Sequence, residues 1–347
     1  MTTIRDVAAR AGVSLGTASR VLAGSSATSA EARERVAAAV TELGYLPNAR
    51  AGSLRRARTD TVGILISDVR NPFFAELAHA AEREALRRGS VVMLANADED
   101  AGQERTYLRA FGTQRVDGVL LAPQSSDPAH FAQLRASGVP VVCVDRVVPG
   151  LDVPCVVPDN AGGVRAAVAL LVGRGHHRVG YVGGPASVST GRERVEAFLA
   201  ERDARGLPAD PRLVEEGDFR SDSGAVAVGR MLDAGAAPTA VLVADGLMTL
   251  GALAELRRRG LRPAVELVSF DDSPWFAEVE PPVSAVANDA TRMGRRGMEL
   301  LLDAVERARD GGPAPDPATV VVPTRLVDRS RTGPPPPTPT PRGRTRP

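Results

Sequence analysis

TIRDVAARAGVSLGTASRVL, residues 3–22, is the stretch from which the rest of the chain is read. Ile4, Val7, Ala8 and Ala11 fall at i, i+3, i+4 and i+7, a spacing that gives a short helix one apolar face. Thr3 stands before the run as an N-cap, with Asp6 three residues on. Gly12 tolerates the left-handed conformation of a C-cap, and Val13 can fill the corner that follows. Ser14 is placed to cap a second helix, in which Ala18, Val21 and Leu22 repeat the apolar pattern. Leu15, Gly16, Ser19 and Arg20 then face away from the first helix. Two short helices and a tight glycine-containing turn make a helix-turn-helix, whose second helix lies in the DNA major groove. Arg20 is the one long donor on that outward face, and its fork suits the two acceptors of a guanine edge. Leu15 beside it can make only apolar contact, for example with a thymine methyl. A plain helical hairpin in a core would share the pattern, and the residues that follow argue against it.

Ser29 caps a third predicted helix, 30–43, with Glu31 in its first turn, where the helix dipole favours a carboxylate. Val36, Val40 and Leu43 form its inner face, and Gly44 and Pro47 end it. IRDVAARAGVSLGTASRVL followed by SAEARERVAAAVTELGYLPNARAGSL resembles the DNA-binding headpiece and hinge of the lactose-repressor (LacI) family of bacterial regulators, over residues 3 to about 58. The resemblance implies a headpiece over 1–48, a hinge over 49–59, and a two-lobed effector-binding and dimerisation core over 60–331. It also implies a partner in double-stranded DNA, a palindromic operator bound by a homodimer. The expected DNA-facing set is Thr3, Ser14, Leu15, Gly16, Thr17, Ser19, Arg20, Ser29, Asn48, Ala51 and Leu54. Within the hinge the segment Ala49 to Arg55, seven residues with Gly52 in the middle, is too short to hold a helix alone. It is expected to order on the operator, with Leu54 as a wedge in the minor groove.

Charge agrees with that reading. Residues 1–58 hold nine arginines against four acids, about +5, which leaves about −4 for the rest of a chain whose formal net charge is +1. A basic head on a mildly acidic body fits a polyanion met at one end. All 43 basic side chains are arginine.

After Arg58 short apolar runs alternate with amphipathic segments. TVGILI (61–66), VVML (91–94), GVLL (118–121) and VPVVCV (139–144) read as buried strands with helices between them. A second series starts near Asp159, with strands at 178–182, 213–217, 239–244 and 265–270. The fold class expected is α/β: a helix-turn-helix headpiece plus two doubly wound parallel sheets, the core resembling periplasmic sugar-binding proteins. In the family the chain crosses between lobes three times, here near 147–159, 284–289 and 323–326. The tail 332–347 is rich in Pro with scattered Arg, reads as disordered, and lacks a leucine heptad, so a dimer is expected.

The ligand is expected where strand ends and helix starts meet between the lobes. Asp271, in VSFDDSP, and Arg194, in STGRERVEAF, match family positions that hold effector hydroxyls. A carboxylate accepts from hydroxyls and a guanidinium donates to them in a fork. Phe73 matches a family position that packs on a ring. Asp145 ends a strand and Thr190 starts a helix, so both can point inward. Asp245-Gly246 stands where the family often has Asn-Asp, and Ala122 and Val188 stand where relatives carry polar groups. Asp159-Asn160 is read as a helix cap. The effector expected is a sugar or a related polyhydroxyl compound.

Other classes find little support. Gly183-Gly184 lacks the G-x-G-x-x-G spacing of a dinucleotide loop, so no cofactor is expected. Cys143 and Cys155 have no C-x-x-C spacing and read as buried thiols, and His176-His177 reads as a surface pair, too few ligands for a metal. No arrangement of nucleophile and base points to an enzyme. A solute-binding protein of sugar transport shares the core, but no signal segment or apolar run of about 20 residues appears, so a cytoplasmic, membrane-free protein is expected.

Overall fold

A computed structural model describes residues 2–22, 27–45, 59–262 and 264–329, in two units, Met1–Asp60 and Thr61–Pro347. Asn48, Ala51, Gly52 and Leu54 of the hinge and the tail 332–347 lie outside the described residues.

The first unit holds helices α1 (Ile4–Ala11), α2 (Leu15–Leu22) and α3 (Ala30–Leu43). Thr3 and Asp6 form a reciprocal capping box: Thr3 N donates to Asp6 Oδ2 at 2.8 Å, and Asp6 N donates to Thr3 Oγ1 at 3.4 Å. Gly12 ends α1 at φ +62°, a conformation that costs glycine nothing. Ser14 Oγ accepts from Thr17 N at 3.1 Å and Ser29 Oγ from Ala32 N at 3.2 Å, so each serine opens the helix that follows it. Val7, Ala8, Ala11, Ala18, Val36 and Ala39 are buried together, with Val13, Val21, Leu22, Val40 and Leu43 packed against them. On α3 it is Ala39 that joins Val36 at the centre, while Val40 and Leu43 sit at the margin.

The second unit carries two six-stranded sheets. In the first, strand order is β11-β5-β4-β3-β1-β2 and every pairing is parallel. Its strands are β1 (Thr61–Ile66), β2 (Val91–Asn96), β3 (Val119–Leu121), β4 (Val141–Val144), β5 (Cys155–Pro158) and β11 (Thr319–Val322), with helices α4 (Pro72–Arg87), α5 (Ala101–Gln114), α6 (Ala132–Ala136) and α11 (Ala290–Arg309). The second sheet runs β12-β10-β9-β8-β6-β7, parallel except where β12 pairs antiparallel with β10. It contains β6 (Val179–Gly183), β7 (Val214–Glu216), β8 (Ala240–Val243), β9 (Glu266–Phe270), β10 (Ser284–Ala287) and β12 (Arg325–Val327). Its helices are α7 (Asn160–Gly173), α8 (Ser189–Ala204), α9 (Ser221–Asp233) and α10 (Gly246–Arg258).

Helices on both faces explain the continuous apolar strands. Ile64 and Ile66 of β1 join one core cluster and Leu65, between them, joins the cluster on the other face. Two helix pairs pack backbone against backbone. A Cβ on Gly294 of α11 would lie 2.1 Å from Leu77 O of α4, and one on Gly251 of α10 would lie 1.8 Å from Ser221 O of α9. Only glycine allows either approach.

The chain crosses between sheets after Pro158, after Ala287 and after Val322. The crossing segments named from the sequence contain three short strands, β5, β10 and β12, that periodicity does not show. Strands of three or four residues carry too few alternations to register. His176 is also corrected. It is not at the surface: it is 4% exposed, its Nε2 lies 2.8 Å from Glu266 Oε2 and its Nδ1 3.0 Å from Thr239 Oγ1, so it ties the loop before β6 to β9.

Candidate functional site

The two sheets repeat one topology, and the cleft lies at the C-terminal ends of corresponding strands, where an α/β sheet exposes helix N-termini and loops. Asp145 follows β4 and Asp271 follows β9, the same place in each lobe. Both have left-handed backbones, φ +68° and +69°. That region is sparsely occupied by residues other than glycine, is least costly for Asp and Asn, and clusters at binding sites.

Arg194 lies in the second turn of α8 and is 3% exposed. Its Nε donates to Asn160 Oδ1 at 2.8 Å and its Nη1 to Ala244 O at 2.7 Å, while the guanidinium sits 3.8 Å over the Phe270 ring. Asp159 caps α7, its Oδ1 accepting from Gly162 N at 2.8 Å, as the sequence suggests. Asn160 does more than cap: it fixes the cleft arginine and donates to Glu193 Oε2 at 2.7 Å. Asp271 is 6% exposed and accepts from Asn288 Nδ2 at 2.5 Å.

Asp245 is 3% exposed, and both its oxygens are engaged. Oδ1 accepts from Met248 N at 2.8 Å and so caps α10; Oδ2 accepts from Asn71 Nδ2 at 2.9 Å, across the cleft. Further contacts join the lobes: Val147 N donates to Ser189 Oγ at 2.9 Å, Arg220 Nη2 donates to Asp98 O, and the Arg146 guanidinium lies 5.1 Å over the Phe219 ring. The cleft is therefore closed, with its polar groups buried between the lobes.

Phe73, Asp145, Thr190, Arg194, Asp245 and Asp271, all expected from the sequence, line one narrow space between the closed lobes, of about 10 Å³. Phe73 is 7% exposed, stands edge-on to Phe74 at 5.0 Å and also belongs to the core of the first lobe. Ala122 and Val188 are buried in the cores of their lobes. Asn71, Glu99, Arg146 and Phe219 line the same space and were not expected. The signal for two of them was present: Asn71 begins the helix that carries Phe73, and Arg146 follows Asp145. Arg146 anchors a polar chain that runs back into the lobe. Its Nη2 donates to Glu99 Oε1 at 2.8 Å and its Nη1 to Gln124 Oε1 at 2.7 Å, and Gln124 N donates to Glu104 Oε1 at 2.9 Å.

Burial sets the protonation of the carboxylates. It pushes Asp145 up to about 6 against the opposing charges of Arg146 and Arg194. Burial, and then the charge of Asp271, raises Asp245 well above the ordinary range; burial also raises Asp271, opposed by Arg194. A carboxyl whose value is raised in the folded state costs stability wherever both states are ionised. For Asp145 the cost is full above about 6 and disappears as pH falls toward the unfolded value near 4. Asp145→Asn, which resembles the protonated form, is expected to raise Tm at pH 7.5 and to differ little from the parent at pH 4.5. A constant offset across that range would place the cost elsewhere.

In the first unit Thr3, Ser14, Leu15, Gly16, Arg20 and Ser29 are exposed, and Thr17 and Ser19 are half-buried. Leu15 is 45% exposed, and Arg20 is exposed and forms no ion pair with another described residue. Thr3, Ser14 and Ser29 hold cap bonds as well, so their hydroxyls already have one duty.

Residues 3–48 match the model for bacterial regulatory proteins of the lacI family, and residues 168–332 the model for a periplasmic binding protein-like domain. The HTH-type transcriptional regulator CelR of Thermobifida fusca is 37% identical over 338 residues, covering 94% of this chain and 97% of its own. The HTH-type transcriptional repressor CytR of Escherichia coli K12 is 30% identical over 306 residues, covering 88% and 90%. Among solved structures, a transcriptional regulator CelR–cellobiose complex matches with a TM-score of 0.70 at 35% identity, covering 95% and 99%. The lac repressor dimer bound to operator and the anti-inducer ONPF matches with a TM-score of 0.81 at 27% identity, covering 95% and 98%.

Proposed function

The chain belongs to the lacI family of bacterial regulatory proteins, and from that premise we propose that it is a sequence-specific DNA-binding transcriptional regulator, a repressor, whose operator binding is set by a sugar held in the cleft. The observation that carries the effector reading is the convergence of Asp145, Asp271 and Arg194, each buried, with Phe73 and Phe219 around one narrow space between the lobes. Carboxylates accept from ring hydroxyls, a guanidinium donates to them, and an aromatic face covers the apolar side of a pyranose. Asp245 has both oxygens in use when the lobes are closed, so it serves as a latch through Asn71 as much as a ligand contact.

Outside the cleft, the capped helices of the first unit present Leu15 and Arg20 to DNA. The partner is a second copy of the chain, two headpieces meeting a palindromic operator. The same core serves solute-binding proteins of sugar transport, and the headpiece over 3–48 is what sets this chain apart from them. Its relatives are transcriptional regulators rather than enzymes. Among the described residues no helix is long and apolar enough to cross a membrane, and work on an operator places the protein in the cytoplasm.

A thermal-shift and calorimetric comparison of cellobiose, other β-glucosides and nucleosides tests the effector class. Stabilisation follows RT ln(1 + [L]/Kd), so a sugar bound in the native cleft raises Tm in proportion to the logarithm of its concentration. A saturable shift with a glycoside is expected. A shift with nucleosides and none with any sugar would overturn the sugar reading and leave the regulator standing.

A further inference from the structure

Away from the cleft, a groove of about 270 Å³ runs between α5 and α6 on the flank of the first lobe. Arg105 and Arg109, one turn apart on α5, stand on one side; His130 and Gln133 stand on the other, over Leu108 and Leu134. No carboxylate lines it. Arg109 has no ion-pair partner among the described residues and is exposed.

His130 is the built part of the groove. Its side chain is only 4% exposed, on the single turn Pro128–Phe131. Its Nδ1 lies 3.2 Å from Arg105 Nη2. A guanidinium can only donate, so Nδ1 accepts and Nε2 carries the hydrogen. Nε2 lies 2.9 Å from Glu104 Oε2, but the two are too poorly aligned to bond, and neither atom has another partner. Glu104 is fully buried, and burial pushes it up to about 7. The groups that act on His130 are thus Glu104 behind it, Arg105 in front, and Asp127, whose own carboxylate caps the turn through Ala129 N at 2.9 Å. Burial and then Arg105 hold His130 below its ordinary value. A buried imidazole caught between an arginine and an unpaired acid is costly unless something satisfies it.

We propose that this groove is a second ligand site, separate from the cleft, that takes a small phosphate dianion such as a phosphate monoester. Arg105 and Arg109 offer planar forks one turn apart, the geometry for bidentate contact with phosphate oxygens. With an anion drawing Arg105 away from Nδ1, that atom takes up one proton from solvent and donates to the ligand. Released from Arg105, the resulting imidazolium is free to turn and bring its Nε2–H into line with the Glu104 carboxylate 2.9 Å away, so that the two orphaned atoms gain a charge-assisted contact. Glu104 is held by Gln124 N, and Gln124 by Arg146 of the cleft, so the site ends on the polar chain already described.

The test is calorimetric titration of the full-length protein with inorganic phosphate at fixed ionic strength. The wild type is expected to show one saturable site. Arg109→Gln, an exposed change, should weaken it about tenfold or more, the loss of one charge-assisted pair, and His130→Gln should weaken it as well. Arg257→Gln, an exposed arginine on α10, should leave it unchanged. The proposal is overturned by the absence of a saturable site in the wild type. It is overturned equally by an affinity that Arg109→Gln does not change, or that Arg257→Gln lowers as much, since either is a general salt effect.

Discussion

Arg194→Lys is expected to weaken effector binding about a hundredfold and to leave operator affinity in the absence of effector near the wild-type level. Arg194 performs several tasks at once. It bonds Asn160 Oδ1 through Nε and Ala244 O through Nη1 and stacks on Phe270, and among the described residues Nη2 makes no hydrogen bond, which leaves it for the ligand. A lysine ammonium keeps the charge but cannot fork, cannot stack as a plane, and cannot reach both protein acceptors while also meeting a sugar hydroxyl. Each hydrogen bond to a charged group contributes roughly 1.5–3 kcal/mol, and about 2.7 kcal/mol is a hundredfold. The change is the mildest that removes the fork, so folding should survive, and circular dichroism with Tm checks that it does. Isothermal titration with the ligand found by thermal shift gives the affinity. Wild-type affinity in Arg194→Lys would mean that the arginine holds the second lobe together and does not meet the ligand.

Arg20→Ala should cost about 1–3 kcal/mol of operator binding, roughly tenfold to a hundredfold, and should relax the preference at one base pair per half-site. Arg20 is exposed on α2, which the Ser14 cap and the buried Ala18 fix in place, so its removal leaves the headpiece core untouched. Gel-shifts with operators carrying each base in turn separate two outcomes. Lost discrimination at one position identifies a guanine contact. Uniformly weaker binding with the same base preference identifies a phosphate contact.

The headpiece was legible because its logic is local. Thr3, Asp6, Gly12, Ser14 and Ser29 each act within four residues of their own position, and the apolar face of α1 is read at helical spacing. In the cleft, Asp271 and Arg194 could be placed because the family motif spans them. Asn71 and Arg146 stand beside expected residues and were within reach of the same reading, whereas Glu99 and Phe219 were not, since lobe closure brings them together across about 120 residues and no local pattern encodes that. Asp245 was expected as a ligand contact, and the sequence gives no hint that Asn71, 174 positions away, occupies one of its oxygens. His176 was misplaced for a related reason. A loop histidine beside an exposed one reads as surface, and its partners lie 63 and 90 residues on, Thr239 just before β8 and Glu266 at the start of β9.

The closed cleft also bears on how an effector would act. Three buried carboxylates with raised values are a cost that a purely structural core would avoid, and such costs concentrate where a ligand is to be met. A sugar whose hydroxyls donate hydrogen bonds to Asp145 and Asp271 offsets part of this cost only in the closed form. It therefore favours closure by its differential affinity for the two forms.

The central claim is that one chain joins operator binding to ligand binding in the cleft. Fluorescence anisotropy of a labelled fragment from upstream of the protein's own gene tests it most directly, with protein titrated at several salt concentrations with and without the cleft ligand. The account predicts tight binding to this fragment over an unrelated one, with affinity falling steeply as salt rises because phosphate contacts release counterions. It predicts further that the ligand shifts this affinity, and that Asp271→Asn abolishes the shift while preserving DNA binding. Specific DNA binding that does not move with a ligand shown to raise Tm, or a shift that persists undiminished in Asp271→Asn, would contradict it.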